Sequence, residues 1–457
     1  MAEGDRRGGP ERFVVGIYVA ARLLSSFGKK AGYFADTNLY LEFRWFDTRR
    51  PWTVAWLFDL LDGHNHTRII WAQVLIACAC WSVLALVMAA RCAPPARPWI
   101  AGAVVVLASS VKVAEWDYLL LSESLAISLL ALWVAAVIRW IQPGPAHAGS
   151  WSSAVRRAAP VALVGWLWTQ TRETNSFSAI VVVVMIGAVR FFRSRPEARR
   201  AAVAVVVACG FALGSSWMLS THTNSLPYLD PAPPDAQHRS ITLANYRFMD
   251  VFGKRILFDP KAVAWFDRQG MPQFPGRNEL RDFSAADRDY QMYDNAEFVR
   301  WVDRHGQGAY ARWLLSRPWW SIRFPFKASN ELLAPQVDYY FAHIRRHLPD
   351  AIEQPIWPAQ PGFVLELIAV VLAVAVAAAW RRRRYGLGDS DLWPVGTALL
   401  AGSFAALIGT WHGAWLEAAR HNIVNNVSIR ISLIVLAASA CRGNPRNEGD
   451  VGDTVRE

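Results

Sequence analysis

The sequence predicts an all-α polytopic membrane protein: about ten transmembrane helices, with a mostly helical extracytoplasmic domain between spans seven and eight. Three observations predict it. First, 53% of the 457 residues are hydrophobic, and they gather into runs such as 180–189, 201–214 and 363–380. Second, cations collect at every other span end, the pattern that orients membrane helices. Third, the stretch 221–361 is rich in Asp, Arg, Trp and Pro and holds no apolar run long enough to cross a bilayer.

The spans are expected at 12–28, 68–90, 98–114, 118–138, 155–171, 175–192, 200–219, 362–380, 392–410 and 422–441. Helices are the natural form because lipid offers the backbone no hydrogen-bond partners. The first span follows Arg6, Arg7 and Arg12 and is interrupted only by Arg22. It lacks a small-x-small cleavage site, so it reads as a retained span with a cytoplasmic N-terminus. The inner connections then carry Arg91 and Arg97; Arg139, Arg156 and Arg157; Arg190, Arg193, Arg195, Arg199 and Arg200; and Arg381, Arg382, Arg383 and Arg384. Arg442 and Arg446 follow the last span. The short outer connections hold few cations: Lys112, Arg172 and Arg420. The long first outer loop is the exception, with Lys29, Lys30, Arg44, Arg49 and Arg50. Both termini are therefore expected in the cytoplasm, with the chain in the plasma membrane.

Four regions follow. Residues 1–220 form a seven-span module with its first outer loop at 29–67. Residues 221–361 form the extracytoplasmic domain, 362–441 a three-span module, and 442–457 a disordered cytoplasmic tail. Within the outer domain, 261–268 reads as a short helix stopped by Gly270 and Pro272. The stretch 294–316 reads as an amphipathic helix with Phe298, Trp301, Val302 and Trp313 on one side.

The net charge of +11 would point to nucleic acid in a soluble protein. Here the cations mark span ends facing an anionic leaflet, and no nucleic-acid partner is expected. None of the five cysteines lies in an outer loop, so no disulfide framework supports the outer domain. There is no Walker motif, no dinucleotide fingerprint and no H-E-x-x-H. His64 and His66 lack companion ligands at a zinc spacing. The tryptophans fit interfacial belts, with sugar stacking a second use for Trp45, Trp116, Trp319 and Trp320.

Charged groups at the outer rim carry the functional signal, because a charge at a span must face a partner or a wet cavity. The first outer loop holds Asp36, Glu42 and Asp47. A carboxylate at the membrane surface can take the proton of an attacking hydroxyl; Asp36 also suits the cap of a helix starting at Thr37. Glu123 sits in an apolar run at the start of span four, where it either serves a site or pairs with Lys112, Arg172 or Arg420. Asp117 is nearer the rim and suits a metal or an acceptor hydroxyl. Glu417, Arg420 and His421 share a face by helical spacing. Arginine forks suit phosphate, and internal salt bridging uses the same groups.

The segments Asp36-Thr37-Asn38-Leu39-Tyr40, Leu121-Ser122-Glu123-Ser124-Leu125 and Glu417 to His421, set on this topology, resemble the GT-C superfamily of polytopic glycosyltransferases, bacterial and actinobacterial members above all. The resemblance implies transfer of a hexosyl or pentosyl unit from a polyprenyl-phosphate-linked sugar to a cell-envelope glycan or lipid acceptor. It makes Asp36 the catalytic base, with Glu42, Asp47, Asp117 and Glu123 as alternative acids. Arg172, Arg420 and His421 would hold the donor phosphate. No cofactor is implied, though a divalent metal is admitted. Many family members carry an adjacent acidic pair in the first loop, where this chain has single acids. Two other classes fit an outer-rim polar cluster less well: a transporter or lipid flippase, which predicts polar groups near the midplane, and a non-catalytic scaffold of envelope assembly, which predicts that Asp36, Glu123 and Arg420 do not converge.

Overall fold

The computed structural model describes residues 9–34, 37–41, 52–141, 151–193, 199, 202–203, 205–210, 213–215, 227–228, 241–273, 277, 292, 295–341, 348–385, 391–413 and 418–441. Nine long helices are described: α1 (Pro10–Ser26), α2 (His66–Ala89), α3 (Arg97–Ser109), α4 (Glu123–Trp140), α5 (Trp151–Thr169), α6 (Asn175–Arg193), α7 (Pro361–Arg384), α8 (Leu392–Gly413) and α9 (Ile423–Ala440). They fall where spans were expected. Among the described residues, five helices are long and apolar enough to cross a membrane, or six with one bent pair, against the ten expected. Of the rest, α1 is short, α3 belongs to the bent pair, α6 is apolar only over 175–189, and α5 carries Arg156 and Arg157. The expected seventh span is described only in part, and the tail 442–457 lies outside the described residues.

Two boundaries differ from the sequence reading. Span three, expected straight over 98–114, bends by 64° between Pro94–Ser109 and Val111–Tyr118. Ser110 is extended there (ψ 147°), and its hydroxyl donates back to the Leu107 carbonyl at 2.7 Å. The amide of Val111, freed by the bend, donates to Glu353 Oε1 at 2.9 Å. A distant carboxylate thus supplies the acceptor that helix continuity would have supplied. Span four starts at Glu123, not near 118, because Leu119 is extended (ψ 139°). Its neighbours bond to Gly32: Gly32 N–H donates to Tyr118 O and Leu120 N–H to Gly32 O. Glu123 is therefore the first helical residue, where the positive end of the helix dipole favours its carboxylate.

The helices pack across chain order as well as along it. α1 packs on α2 and α3, α2 on α4, α4 on α5, α8 on α6 and α9, and α7 on α9. α8 and α6 meet closely at Gly402, where a Cβ would stand 2.9 Å from the Ser178 carbonyl. Small residues permit such approach where no hydrophobic force drives helices together. The arrangement separates the two ends of the bundle. One end holds Arg91, Arg97, Arg139 and Arg381 to Arg384, closed by Ala93 N–H donating to Cys441 O at 3.0 Å and Arg91 donating to Ile138 O. The other end holds Arg22, Asp117, Glu123, Arg172 and Arg420 and receives the segment between spans seven and eight.

That segment has a short antiparallel pair, Pro227–Tyr228 with Ile241–Thr242, and a run of short helices. Its core is aromatic: Phe248, Phe252, Phe266, Phe298, Trp301 and Trp313 are buried together. The helix expected at 261–268 is Pro260–Arg268, capped by Asp259, whose carboxylate accepts from the Lys261 and Ala262 amides. It stops at Gly270 (φ +82°), with Met271 N–H on Phe266 O and Gly270 N–H on Asp267 O, the Schellman arrangement. The amphipathic helix expected at 294–316 is interrupted by a π turn, Val302–Gly306, and buries Phe298, Trp301, Val302 and Trp313 as its spacing required.

The segment between the expected spans seven and eight docks on the end of α8 through His412. Its Nε2–H donates to the Ser321 carbonyl at 2.8 Å, which leaves Nδ1 to accept from the Tyr310 hydroxyl at 2.9 Å. Beside it Arg255 lies 3.7 Å from the Trp411 ring centroid and donates to the Trp411 carbonyl; burial pulls its guanidinium down to about 9. Replacing His412 with Ala strips a partner from two part-buried groups, each worth about 1 kcal/mol. The expected outcome is a lower melting temperature of the detergent-solubilised protein and faster proteolysis within 241–333. An unchanged melting curve and cleavage pattern would contradict the docking role.

Candidate functional site

Three elements bring charge to one point. Glu123 opens α4 and is fully buried. Arg172 lies in the turn after α5. That turn is pinned by Thr171 Oγ1 donating to Trp168 O at 2.6 Å and Asn175 Nδ2 donating to Trp168 O and Thr171 Oγ1, both at 3.1 Å. Arg420 lies in the short helix Ala418–His421, ahead of α9. Arg172 Nη2 donates to Glu123 Oε1 at 2.6 Å, and Arg420 Nε donates to the same oxygen. Arg172 also reaches Ser122 Oγ at 3.2 Å and the His421 carbonyl at 3.2 Å. Of the partners the sequence offered for Glu123, Arg172 and Arg420 both pair with it. Lys112 instead donates to the Pro335 carbonyl at 2.8 Å.

Aromatic rings continue from this cluster. The Arg420 guanidinium stands 5.6 Å from the Tyr340 ring centroid. Tyr340 packs on Phe34 at 4.9 Å and on Trp116 at 5.7 Å. Trp116 is fully buried, so its sugar-stacking use is not available in this arrangement. Phe34 is closed onto Thr37 by two bonds of 2.9 Å, Phe34 N–H to Thr37 Oγ1 and Thr37 N–H to Phe34 O. Asp36, between them in sequence, lies outside the described residues, as do Glu42, Asp47, Trp45 and Glu417.

A second buried cluster was not anticipated. Arg22 donates to Asp117 Oδ2 at 2.7 Å and to the Tyr118 hydroxyl at 2.9 Å, and Ser124 Oγ donates to Asp117 Oδ1 at 2.6 Å. Lys29 donates to both oxygens of Glu115, at 3.0 and 3.2 Å. Gln73 Nε2 donates to the carbonyls of Asp117 and Leu119. Both Asp117 oxygens are thus engaged, Oδ2 with Arg22 of α1 and Oδ1 with Ser124 of α4. A lone arginine inside an apolar run was the signal that a carboxylate must meet it.

Among the described residues, no group of three or more His, Cys, Asp or Glu side chains is placed to hold a metal. Two guanidiniums on one carboxylate oxygen suit a phosphate, whose oxygens accept the same charge-assisted, forked bonds. No known family model and no curated protein matches the sequence. Among solved structures, the chain is similar to the archaeal oligosaccharyltransferase AglB from Archaeoglobus fulgidus, determined in complex with an inhibitory peptide and a dolichol-phosphate. The TM-score is 0.46 at 10% identity, covering 93% of this chain and 50% of the other, so the chain spans about half the length of that enzyme. Overlap at that level fixes neither fold nor activity.

Breaking a buried ion pair from one side costs about 3–5 kcal/mol, because the remaining charge stays desolvated. Glu123→Gln leaves two guanidiniums facing each other and is expected to destabilise more than Arg172→Gln. Thermal unfolding of the three proteins in one detergent checks the order; equal melting temperatures would contradict it.

Proposed function

We propose that the chain is a membrane glycosyltransferase that moves a sugar from a polyprenyl-phosphate donor to a cell-envelope acceptor at the outer face. The observation that supports this best is the convergence of Arg172 and Arg420 on Glu123, at the bundle end opposite the arginine-rich loops. Positive-inside asymmetry makes that end the outer one. A scaffold would not need this convergence, and the buried charges nearer mid-helix have a packing explanation. Arg430 donates to the Ile356 carbonyl at 2.8 Å and to Asn426, and it stacks 3.9 Å from the Trp357 ring centroid.

In this reading Arg172 and Arg420 hold the donor phosphate and stabilise the charge that develops as the lipid phosphate leaves. His421, next to Arg420, completes that side. Asp36 accepts the proton of the acceptor hydroxyl. Its described neighbours Phe34 and Thr37 support the assignment, since Phe34 rests on the same Tyr340 ring that underlies Arg420. Glu42 and Asp47 remain the alternative bases in that loop. Asp117 and Glu123, each held by arginine, act by positioning instead.

Two measurements test the reading. Arg172→Gln and Arg420→Gln are each expected to weaken binding of polyprenyl phosphate to the purified protein about tenfold or more, as loss of a charge-assisted bond predicts. Binding by native mass spectrometry that is indifferent to both changes would remove the phosphate site. An Asp36→Asn strain is expected to lose an envelope sugar while protein abundance stays normal. An unaltered glycan composition in that strain would eliminate Asp36 as the base.

A further inference from the structure

The outer segment carries a feature that glycosyl transfer does not require. Between Arg304 and Glu331 the sequence contains no Asp or Glu, but it contains Arg312, Arg317, Arg323 and Lys327. The same stretch exposes large apolar side chains: Leu315 is 80% exposed, Trp319 71% and Ile322 47%. Two short helices meet here, Gln307–Ser316 and Pro318–Arg323, broken at Arg317 and followed by the tight turn Phe324–Ala328. Their opposite side is committed to packing. Trp313 is buried, Trp320 stacks on Phe324 at 4.5 Å, and Trp320 lies 6.3 Å from the His412 ring. The exposed apolar side chains are therefore not a core left open by chance; the two faces are sorted.

The next residues fix the depth of this element. Phe326 packs 6.2 Å from Phe404, which lies well inside α8 and not at its end. Phe326 and Ala328 join the apolar cluster formed by Leu332, Leu333, Val364, Ile368 and Leu407. Those partners belong in part to α7 and α8, both among the helices able to cross a membrane. The segment 312–327 consequently runs from the end of α8, where Ser321 and Trp320 meet His412, to the level of Phe404 within that helix. Tryptophan with leucine and isoleucine, flanked by arginine and lysine, is the composition of a helix lying in the headgroup layer.

We propose that residues 312–327 form an in-plane membrane-binding element. Leu315, Trp319 and Ile322 enter the acyl boundary, and Arg312, Arg317, Arg323 and Lys327 bind the phosphates of anionic phospholipids in the outer leaflet. The positive-inside tendency disfavours cations on this side, so four of them in a stretch whose sequence holds no acid before Glu331 point to an anionic partner. Phospholipid phosphate is the one at the right depth. The element is fastened to the aromatic core of the outer domain and to His412, so its seating in the headgroup layer sets the height of that domain above the spans.

The full-length protein in nanodiscs tests this, with no need for enzymatic activity. In a Cys441→Ser background, whose other cysteines are buried, Trp319→Cys carries a spin label. The label is expected to be relaxed more by oxygen than by a water-soluble nickel complex. The opposite preference would place residue 319 in water and overturn the proposal. Separately, Arg317→Gln combined with Arg323→Gln and Lys327→Gln is compared with the parent in discs of equal phosphatidylcholine and phosphatidylglycerol. Retained phosphatidylglycerol, counted by native mass spectrometry, is expected to bind at least about fivefold more weakly. Equal retention would refute the headgroup contact, while a label still in lipid would preserve the apolar half. Both results are independent of Arg172 and Arg420, so the glycosyltransferase reading can fail without them.

Discussion

A charge held among packed helices must meet its counter-charge, and the architecture follows from where those meetings occur. Arg22 with Asp117 and Glu123 with Arg172 and Arg420 are each nearly free of solvent. Each joins segments that are far apart in the chain: residues 22 and 117 in the first case, 123, 172 and 420 in the second. A slip of any helix by one turn, about 5.4 Å, would strand a guanidinium or a carboxylate in a low-dielectric interior. Apolar packing between spans cannot impose such registry, because lipid is as apolar as the helix surface. The ion clusters and the close contact at Gly402 fix the register that hydrophobicity leaves loose.

The same constraint explains what was legible in the sequence. Helix positions followed from apolar runs and charge alternation, since both are local. The stop at Gly270 and the buried face of the 294–316 helix were legible for the same reason: a glycine at φ +82° and a helical repeat of aromatics need no distant partner. The candidates for Glu123 could be narrowed to Lys112, Arg172 and Arg420 because few cations occupy the expected outer connections, and the structure takes the two arginines. Asp117 was read as a rim acid because nothing local ties it to Arg22. The bend at Ser110 was equally hidden: it depends on Glu353 and Trp357, more than two hundred residues away in sequence, which bond Val111 N–H and Ser110 Oγ. Leu119 breaks from helix because Gly32 pairs with its neighbours, a tertiary override of an apolar run.

The two clusters also divide the labour at this end of the bundle. The Arg22–Asp117 group engages both carboxylate oxygens and is surrounded by Tyr118, Ser26 and Gln73, which makes it a clamp. The Glu123 group gathers two cations on a single oxygen and adjoins an aromatic path through Tyr340 to Phe34. The clusters adjoin at Glu123 and Ser124, so the cations of the second group are held at a defined place beside the first.

The stoichiometry of that group bears on the proposed chemistry. A sugar linked through polyprenyl phosphate is a phosphodiester with one negative charge. Once the sugar has left, the lipid carries a phosphate monoester, close to two charges at neutral pH because its second pKa is near 6. Two unopposed arginines would then grip the spent carrier more tightly than the donor, and release would limit turnover. Among the described residues, Glu123 sets one negative charge against the pair and competes for the same guanidinium hydrogens. As the spent lipid departs, its bonds are replaced by those to Glu123 instead of being lost to a desolvated void. A carboxylate that looks like simple structural pairing is, on this reading, what lets the site bind a phosphate firmly enough to react and loosely enough to let it go.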